Sequence, residues 1–153
     1  MFNVSFRILN HHGEAEDVLQ ESFLDAFMRV KEFRAETTFG LWLKQIVINK
    51  SITCLRKRKM DLVPVEELEI AMPQEEDEES LQLQVDLVKQ AITMLPDGYR
   101  LVLTLYLFEG YDHEEIAHIL NISENTSRTQ YMRAKLRLHR LLAKKGEKDE
   151  QRN

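Results

Sequence analysis

The sequence predicts an all-α fold: two small helical domains joined by an acidic flexible linker, the second carrying a helix-turn-helix. Three observations lead there. Apolar residues return at helical spacing through most of the 153 residues, and no extended run has a second strand to pair with. Residues 61–82 hold two of the three prolines (Pro64, Pro73), the acidic run EEDEES and few apolar side chains, too little buried surface to offset the entropy of ordering. Residues 112–142 show cap, helix, turn, cap and helix in that order. The boundaries that follow are 1–60 for the first domain, 61–82 for the linker, 83–146 for the second domain and 147–153 for a tail.

In the first domain, Phe2, Val4, Phe6, Ile8 and Leu9 fit a short helix ending near Asn10, and Gly13 breaks the chain after it. From Glu14 to about Phe33, the residues Ala15, Val18, Leu19, Phe23, Ala26, Phe27 and Val30 give a second helix its apolar positions. Glu14, Glu16, Asp17, Glu21 and Asp25 put acid on the other face and near the N-terminus, where the helix dipole favours it. Phe33–Phe39 (FRAETTF) is a short polar connection between apolar bookends. Gly40–Leu55 returns to helical spacing through Leu43, Ile46, Val47 and Leu55, and Trp42 in that helix is assigned to the core. Its end is basic: Lys50, Arg56, Lys57, Arg58 and Lys59. A cationic C-terminus suits the dipole, yet so much charge in ten residues exceeds what capping needs and points at least equally to phosphate.

In the second domain, Leu83, Leu87, Ala91, Ile92 and Leu95 begin a helix that Pro96 stops, with Asp97-Gly98 as turn chemistry. Tyr99–Phe108 (YRLVLTLYLF) suits a buried strand or a buried helix; with helical neighbours and no partner strand it is assigned helix, ended by Glu109-Gly110. Two short helices follow. Asp112 and Glu115 make an acidic capping box, and Ile116, Ile119 and Leu120 repeat at helical spacing. Asn121 can take the left-handed stop, Ile122 fills the gap and Ser123 caps the next helix. There Ser127, Tyr131, Ala134, Leu138 and Leu141 line one side, while Asn125, Thr129, Met132 and Arg133 lie roughly opposite, with Arg128 on the flank. Every full charge from Arg128 to Lys145 is positive. A packed helix with a polar, basic outer face suits a DNA major groove; the plainer reading is a solvated helix on any helical domain. The tail from Gly146 (GEKDEQRN) is expected to fray.

The net charge of −5 seems to oppose nucleic acid, but its distribution does not. No basic residue falls between Lys59 and Lys89, where ten acidic ones do, so the remainder is basic. Screening over about 10 Å makes the local charge the relevant one. No apolar run nears the roughly 20 residues that span a bilayer, so no membrane insertion is expected. The start lacks a signal peptide's apolar core, and the lone Cys54 allows no internal disulfide. These point to a reducing, cytoplasmic setting, with Cys54 a small buried apolar residue. HEEIAH resembles a zinc-protease helix only superficially: His113 and His118 are five apart, about 140° round the helix, and cannot share a metal. His11-His12 lacks further ligands nearby. Nothing suggests catalysis, a cofactor or a small-molecule substrate. Each domain is small enough that a partner is expected to contribute to its order.

Three stretches together resemble the extracytoplasmic-function group of bacterial sigma factors, in the sigma-70 family. AEDVLQESFLDAF (15–27) is similar to that family's polymerase-binding helix. Residues 33–59 are similar to the part that melts and reads the −10 element, and 95–142 to the domain that reads the −35 element. The resemblance implies a sigma factor whose partners are core RNA polymerase, promoter DNA and an inhibiting anti-sigma factor. It implies that Asp17, Gln20 and Glu21 face the clamp coiled coil of the largest polymerase subunit. Asn49 matches the position that holds a flipped −10 base, with the loop backbone and Thr37 or Thr38 completing the pocket. Lys50, Arg56 and Arg58 would hold phosphates. Arg128, Thr129, Met132 and Arg133 match positions that approach the −35 groove. Ser127 departs from a usual aliphatic residue and Gln130 from a common basic one; Lys44, Val47 and Thr53 also differ, so the promoter sequence stays open. The family generally has more chain ahead of Met1, so the first helix is expected to start at or near the beginning of this one. The linker is expected to follow the path of nascent RNA and mimic its charge. A stand-alone helix-turn-helix regulator would explain 112–142 but not AEDVLQES, and an inert helical interaction protein would show no salt-dependent DNA affinity.

Overall fold

A computed structural model describes residues 1–58 and 81–152, the side chains of 81–84, 146, 147, 149, 150 and 152 excepted. All of the expected linker but its last two residues lies outside the described residues, as do Lys59 and Asn153. Every regular element among the described residues is helical. The chain forms two compact units, dividing after Asp61.

The first unit holds α1 (Phe2–Leu9), α2 (His12–Met28), a 3-10 turn (Val30–Glu32) and α3 (Phe39–Lys57), and each of the three helices packs on the other two. Val4, Ile8, Leu9, Val18, Val47, Ile48, Ile52 and Leu55 are buried between them. α1 stops at Asn10, which takes the left-handed conformation (φ 50°) and donates its N–H to the Phe6 carbonyl. The chain turns there and not at Gly13. His11 caps α2, its Nδ1 accepting from the Glu14 N–H at 3.1 Å, so Gly13 sits inside the first turn.

α2 corrects the expectation in a second way. It ends at Met28, short of Phe33, and buries a narrow seam of Ala15, Val18, Ser22 and Ala26. Small residues let the neighbouring helices come close, and the buried Ser22 hydroxyl is satisfied by donating to Val18 O at 2.6 Å. Phe23 and Phe27 lie roughly 100° round from that seam and are exposed, as is Val30. In α3, Thr38 is the N-cap, its Oγ1 accepting from the Leu41 N–H, and helix begins one residue early at Phe39. The Ser51 hydroxyl lies 2.7 Å from Val47 O and 3.0 Å from Ser5 Oγ, a buried polar link between α3 and α1.

The second unit holds α4 (Leu81–Thr93), α5 (Asp97–Leu107), α6 (His113–Leu120) and α7 (Glu124–Arg152). α5 is central: Tyr99 to Leu105 are all buried. Asp97-Gly98 is not a turn but the first turn of α5, with Pro96 at the N-cap. Asp97 suits the positive end of the helix and receives the buried Arg100 guanidinium at 2.6 Å; Arg100 also donates to Leu95 O at 3.1 Å. Ile92, Leu95, Tyr99, Leu103 and Ala134 form a core against which Val88, Tyr131, Leu138 and Leu141 pack. α7 is not short, and the tail does not fray at Gly146: helix continues to Arg152. α4 lies against α7 and offers Val88 to the core and Gln90 to Lys145.

Candidate nucleic-acid and partner surfaces

The outer face of α2 begins acidic and ends apolar. Asp17, Gln20 and Glu21 are all exposed, and the face continues into Leu24 (65% exposed), Phe27 (80%) and Met28 (81%). The sequence reading assigned Phe27 inward and missed this apolar continuation. The exposed Arg29 closes the helix end, reaching Asp25 at 3.4 Å and Glu32 at 3.0 Å, and these two carboxylates raise its pKa further.

The FRAETTF loop is clasped at its ends. The rings of Phe33 and Phe39 meet edge to face at 5.8 Å, and Trp42 lies 5.4 Å from the first and 5.6 Å from the second. Trp42 is therefore not a fully buried core residue. It is half-buried over Ala26, Leu43 and Ile46, and it anchors the loop. Between the bookends Arg34 to Thr38 are exposed, with Ala35 in the left-handed region (φ 55°). Thr37 and Thr38 lie in this loop, and the Thr38 hydroxyl is engaged as the α3 cap.

Asn49 and Arg56 are exposed and, seven residues apart, share a face of α3. The Thr53 hydroxyl donates to Asn49 O at 2.9 Å, so a threonine serves the helix surface here. Lys50 reaches to 4.0 Å from Asp25. Arg58 lies on the opposite side of α3 from Asn49 and forms an ion pair with Glu14 in the first turn of α2, so it ties α3 to α2. Cys54 is half-buried; desolvation, with Glu21 and Asp17 nearby and against the opposing Lys57, pushes its thiol pKa up.

Local sequence builds the helix-turn-helix. The Asp112 carboxylate accepts from the Glu115 N–H at 2.8 Å. Asn121 ends α6 in the left-handed region (φ 55°), and the Ile122 N–H returns to Ala117 O at 3.0 Å. The Ser123 hydroxyl accepts from the Thr126 N–H at 3.0 Å and starts α7. Ser127 and Ala134 are fully buried, and Tyr131, Leu138 and Leu141 pack inward beside them. On the outer side Arg128 and Met132 are exposed, Thr129 and Arg133 partly so. Arg128 pairs with Glu124 one turn back, and the Thr129 hydroxyl donates to Asn125 O.

Behind this face lies a polar-aromatic cluster the sequence reading missed. His113 Nδ1 is 2.9 Å from the Ser127 hydroxyl, and its ring stacks on Tyr106 at 4.7 Å. Tyr131 meets His113 at 5.6 Å and Tyr106 at 4.5 Å, and Lys135 lies 5.4 Å over the Tyr131 ring. Burial, and secondarily Tyr106, push the Tyr131 phenol above its ordinary range. The signal available in sequence was a serine on an otherwise apolar face. Among the described residues no group of three His, Cys, Asp or Glu could hold a metal ion, and no helix is long and apolar enough to cross a membrane.

Comparison with known proteins places these surfaces in a family. The family described as Sigma-70 region 2 matches residues 1–60, and Sigma-70, region 4 matches residues 86–138. The ECF RNA polymerase sigma factor SigW of Bacillus subtilis (strain 168) is 31% identical over 156 residues, covering 93% of this chain and 82% of that protein. The chain belongs to the ECF RNA polymerase sigma factors. SigM of the same organism is 34% identical over 140 residues, covering 89% of this chain and 83% of its own. Among solved structures, the sigma factor RpoE in complex with the anti-sigma factor NepR from Bartonella quintana is similar at a TM-score of 0.61 and 26% identity, covering 93% of this chain and 89% of that one. CnrH, solved with the cytosolic domain of CnrY, shares the fold at a TM-score of 0.56 and 21% identity. In this ECF sigma factor the region 2 match falls on the unit that carries the α2 face and the clasped loop. The region 4 match spans the helix-turn-helix.

Proposed function

We propose that this ECF sigma factor directs core RNA polymerase to promoters by binding alone, in the cytoplasm and without chemistry of its own. Residues 1–60 dock on core through Asp17, Gln20 and Glu21 and capture an unpaired −10 base with Asn49 and the clasped loop around Thr37 and Thr38. Lys50 and Arg56 hold phosphates of the strand being opened; Arg58, occupied by Glu14, contributes mainly by bracing α3. Residues 83–146 grip the −35 element through Arg128, Thr129, Met132 and Arg133, and 61–82 tether the two. Capture of the melted strand shifts the duplex equilibrium towards opening. The solved RpoE bound to the anti-sigma factor NepR supports an inhibitor of that kind here as well.

The α2 face is the observation that carries the reading. A carboxylate-rich half followed by exposed Leu24, Phe27 and Met28 suits a basic partner helix with an apolar rim. A stand-alone DNA regulator has no use for it. Run-off transcription with purified core on a promoter library tests the proposal. The wild type is expected to initiate at a defined subset, Asp17→Arg to lose core binding, and Arg133→Ala to weaken promoter choice with core binding intact. Absence of core binding by the wild type, or indifference to Asp17→Arg, would refute it.

A further inference from the structure

We propose that His113 and Ser127 form a latch that sets the roll of α7 on α6, which makes His113 a positioning residue for promoter reading. The proposal rests on α7 being the groove-facing helix. Ser127 is fully buried in the first turns of α7, next in sequence to Arg128 and Thr129. Its N–H is used within the helix, to Ser123 O at 3.0 Å. Its hydroxyl faces His113 Nδ1 at 2.9 Å. The imidazole is itself held: it stands at the start of α6, stacks on Tyr106 of α5 and meets Tyr131 of α7 edge-on. One ring thus joins three helices, and its hydrogen bond lands on the helix that carries Arg128, Thr129, Met132 and Arg133.

The physics of the contact matters. The hydrophobic effect is non-directional, whereas a hydrogen bond prefers an angle above about 150° and weakens steeply below about 120°. An aliphatic residue at 127 would fill the space without that directional constraint. A side chain reaching about 6 Å from the helix axis moves about 1 Å for each 10° of roll. A bidentate contact to a base edge tolerates less than that, since its donors must stay within about 2.7–3.2 Å. The latch therefore acts on discrimination between bases more than on affinity for phosphate.

Three full-length variants, each assembled with core polymerase, separate hydrogen bond from packing. Ser127→Ala removes the hydroxyl at almost constant volume. His113→Phe keeps a ring on Tyr106 but no polar atom. His113→Asn keeps a hydrogen-bonding group near the Nδ1 position and loses the ring. A library randomised over the upstream element first gives the preferred sequence of the wild type. Discrimination is then the initiation ratio between that sequence and its single-base variants, measured well below unfolding. Ser127→Ala and His113→Phe are expected to lower this ratio about tenfold, the scale of one good base contact, and the double variant no further. His113→Asn should keep most of it. Core binding and the salt dependence of DNA binding should not change. Wild-type ratios in both Ser127→Ala and His113→Phe, or equal loss in His113→Asn and His113→Phe, would overturn the latch. Loss of melting temperature with unchanged ratios would overturn it too, as a structural role only. If His113→Phe fails to fold, Ser127→Ala against His113→Asn decides. A wild type without upstream preference would instead refute α7 as the reader, and the latch with it.

Discussion

Removing the Ser51 hydroxyl should destabilise the first unit more than removing that of Ser5, although the two share one contact. Each hydroxyl has a single proton. The Ser51 hydroxyl donates, to Val47 O at 2.7 Å and to Ser5 Oγ at 3.0 Å, and its one proton favours the shorter contact. Both residues are fully buried. Ser5→Ala therefore loses one hydrogen bond and leaves Ser51 satisfied, at about 1 kcal/mol. Ser51→Ala takes away the same bond and also strands the Ser5 hydroxyl in an apolar interface, at about 2 kcal/mol. In the double variant nothing is stranded, so its cost should fall back towards that of Ser5→Ala. For a unit of this size each kcal/mol moves the midpoint by roughly 4–8 °C, so the single variants should separate clearly in a thermal scan. The assay reads itself out: Trp42 is the sole tryptophan and lies in this unit, so its fluorescence in the full chain follows this unit. Equal losses for the two single variants, or a double variant as costly as their sum, would refute Ser51 as the donor of both contacts.

Three further outcomes follow from other contacts. His11→Ala should cost about 1 kcal/mol by freeing the Glu14 N–H, and His11→Asn should not, since it keeps a capping oxygen; Trp42 fluorescence again reports it. Arg100→Ala should cost about 3 kcal/mol, the low end for breaking a buried pair because Asp97 keeps some water. All four tyrosines lie in the second unit, so near-UV dichroism of tyrosine measures that loss. The folded chain holds the Tyr131 proton more tightly than the unfolded chain. That contribution is complete below the ordinary phenol value of about 10 and is lost as pH rises through the raised one. Tyr131→Phe should flatten the alkaline decline of the second unit's stability.

The parts of this molecule that were legible in sequence are those governed by a few adjacent residues. Asp112, Asn121 and Ser123 act on their own neighbouring amides, so the helix-turn-helix could be read directly. The all-helical architecture was legible for the same reason, since periodicity is local. Which apolar positions are covered is a different matter. Phe23, Phe27 and Val30 repeat at helical spacing, but the core takes the small residues Ala15, Ser22 and Ala26 and leaves those three side chains exposed. α7 was expected to fray from Gly146 because the residues there are polar, and helix runs on to Arg152. Candidate surfaces were nameable from Asp17, Gln20, Glu21 and the basic face of α7. Pairings across the fold were not: neither Arg58 with Glu14 nor His113 with Ser127 leaves a trace at any fixed spacing.

The length of α7 has a mechanical consequence. Its 29 residues make about 43 Å of unbroken helix. The turn that bears Arg128 and the turn that Leu141 seats against the core are stations on one stiff rod, with no hinge between them. Stress that displaces α4 is then not absorbed along the way. It arrives at Arg128 and Arg133 as a tilt of the whole rod, so a load on α4 would also move the residues proposed to grip the −35 element.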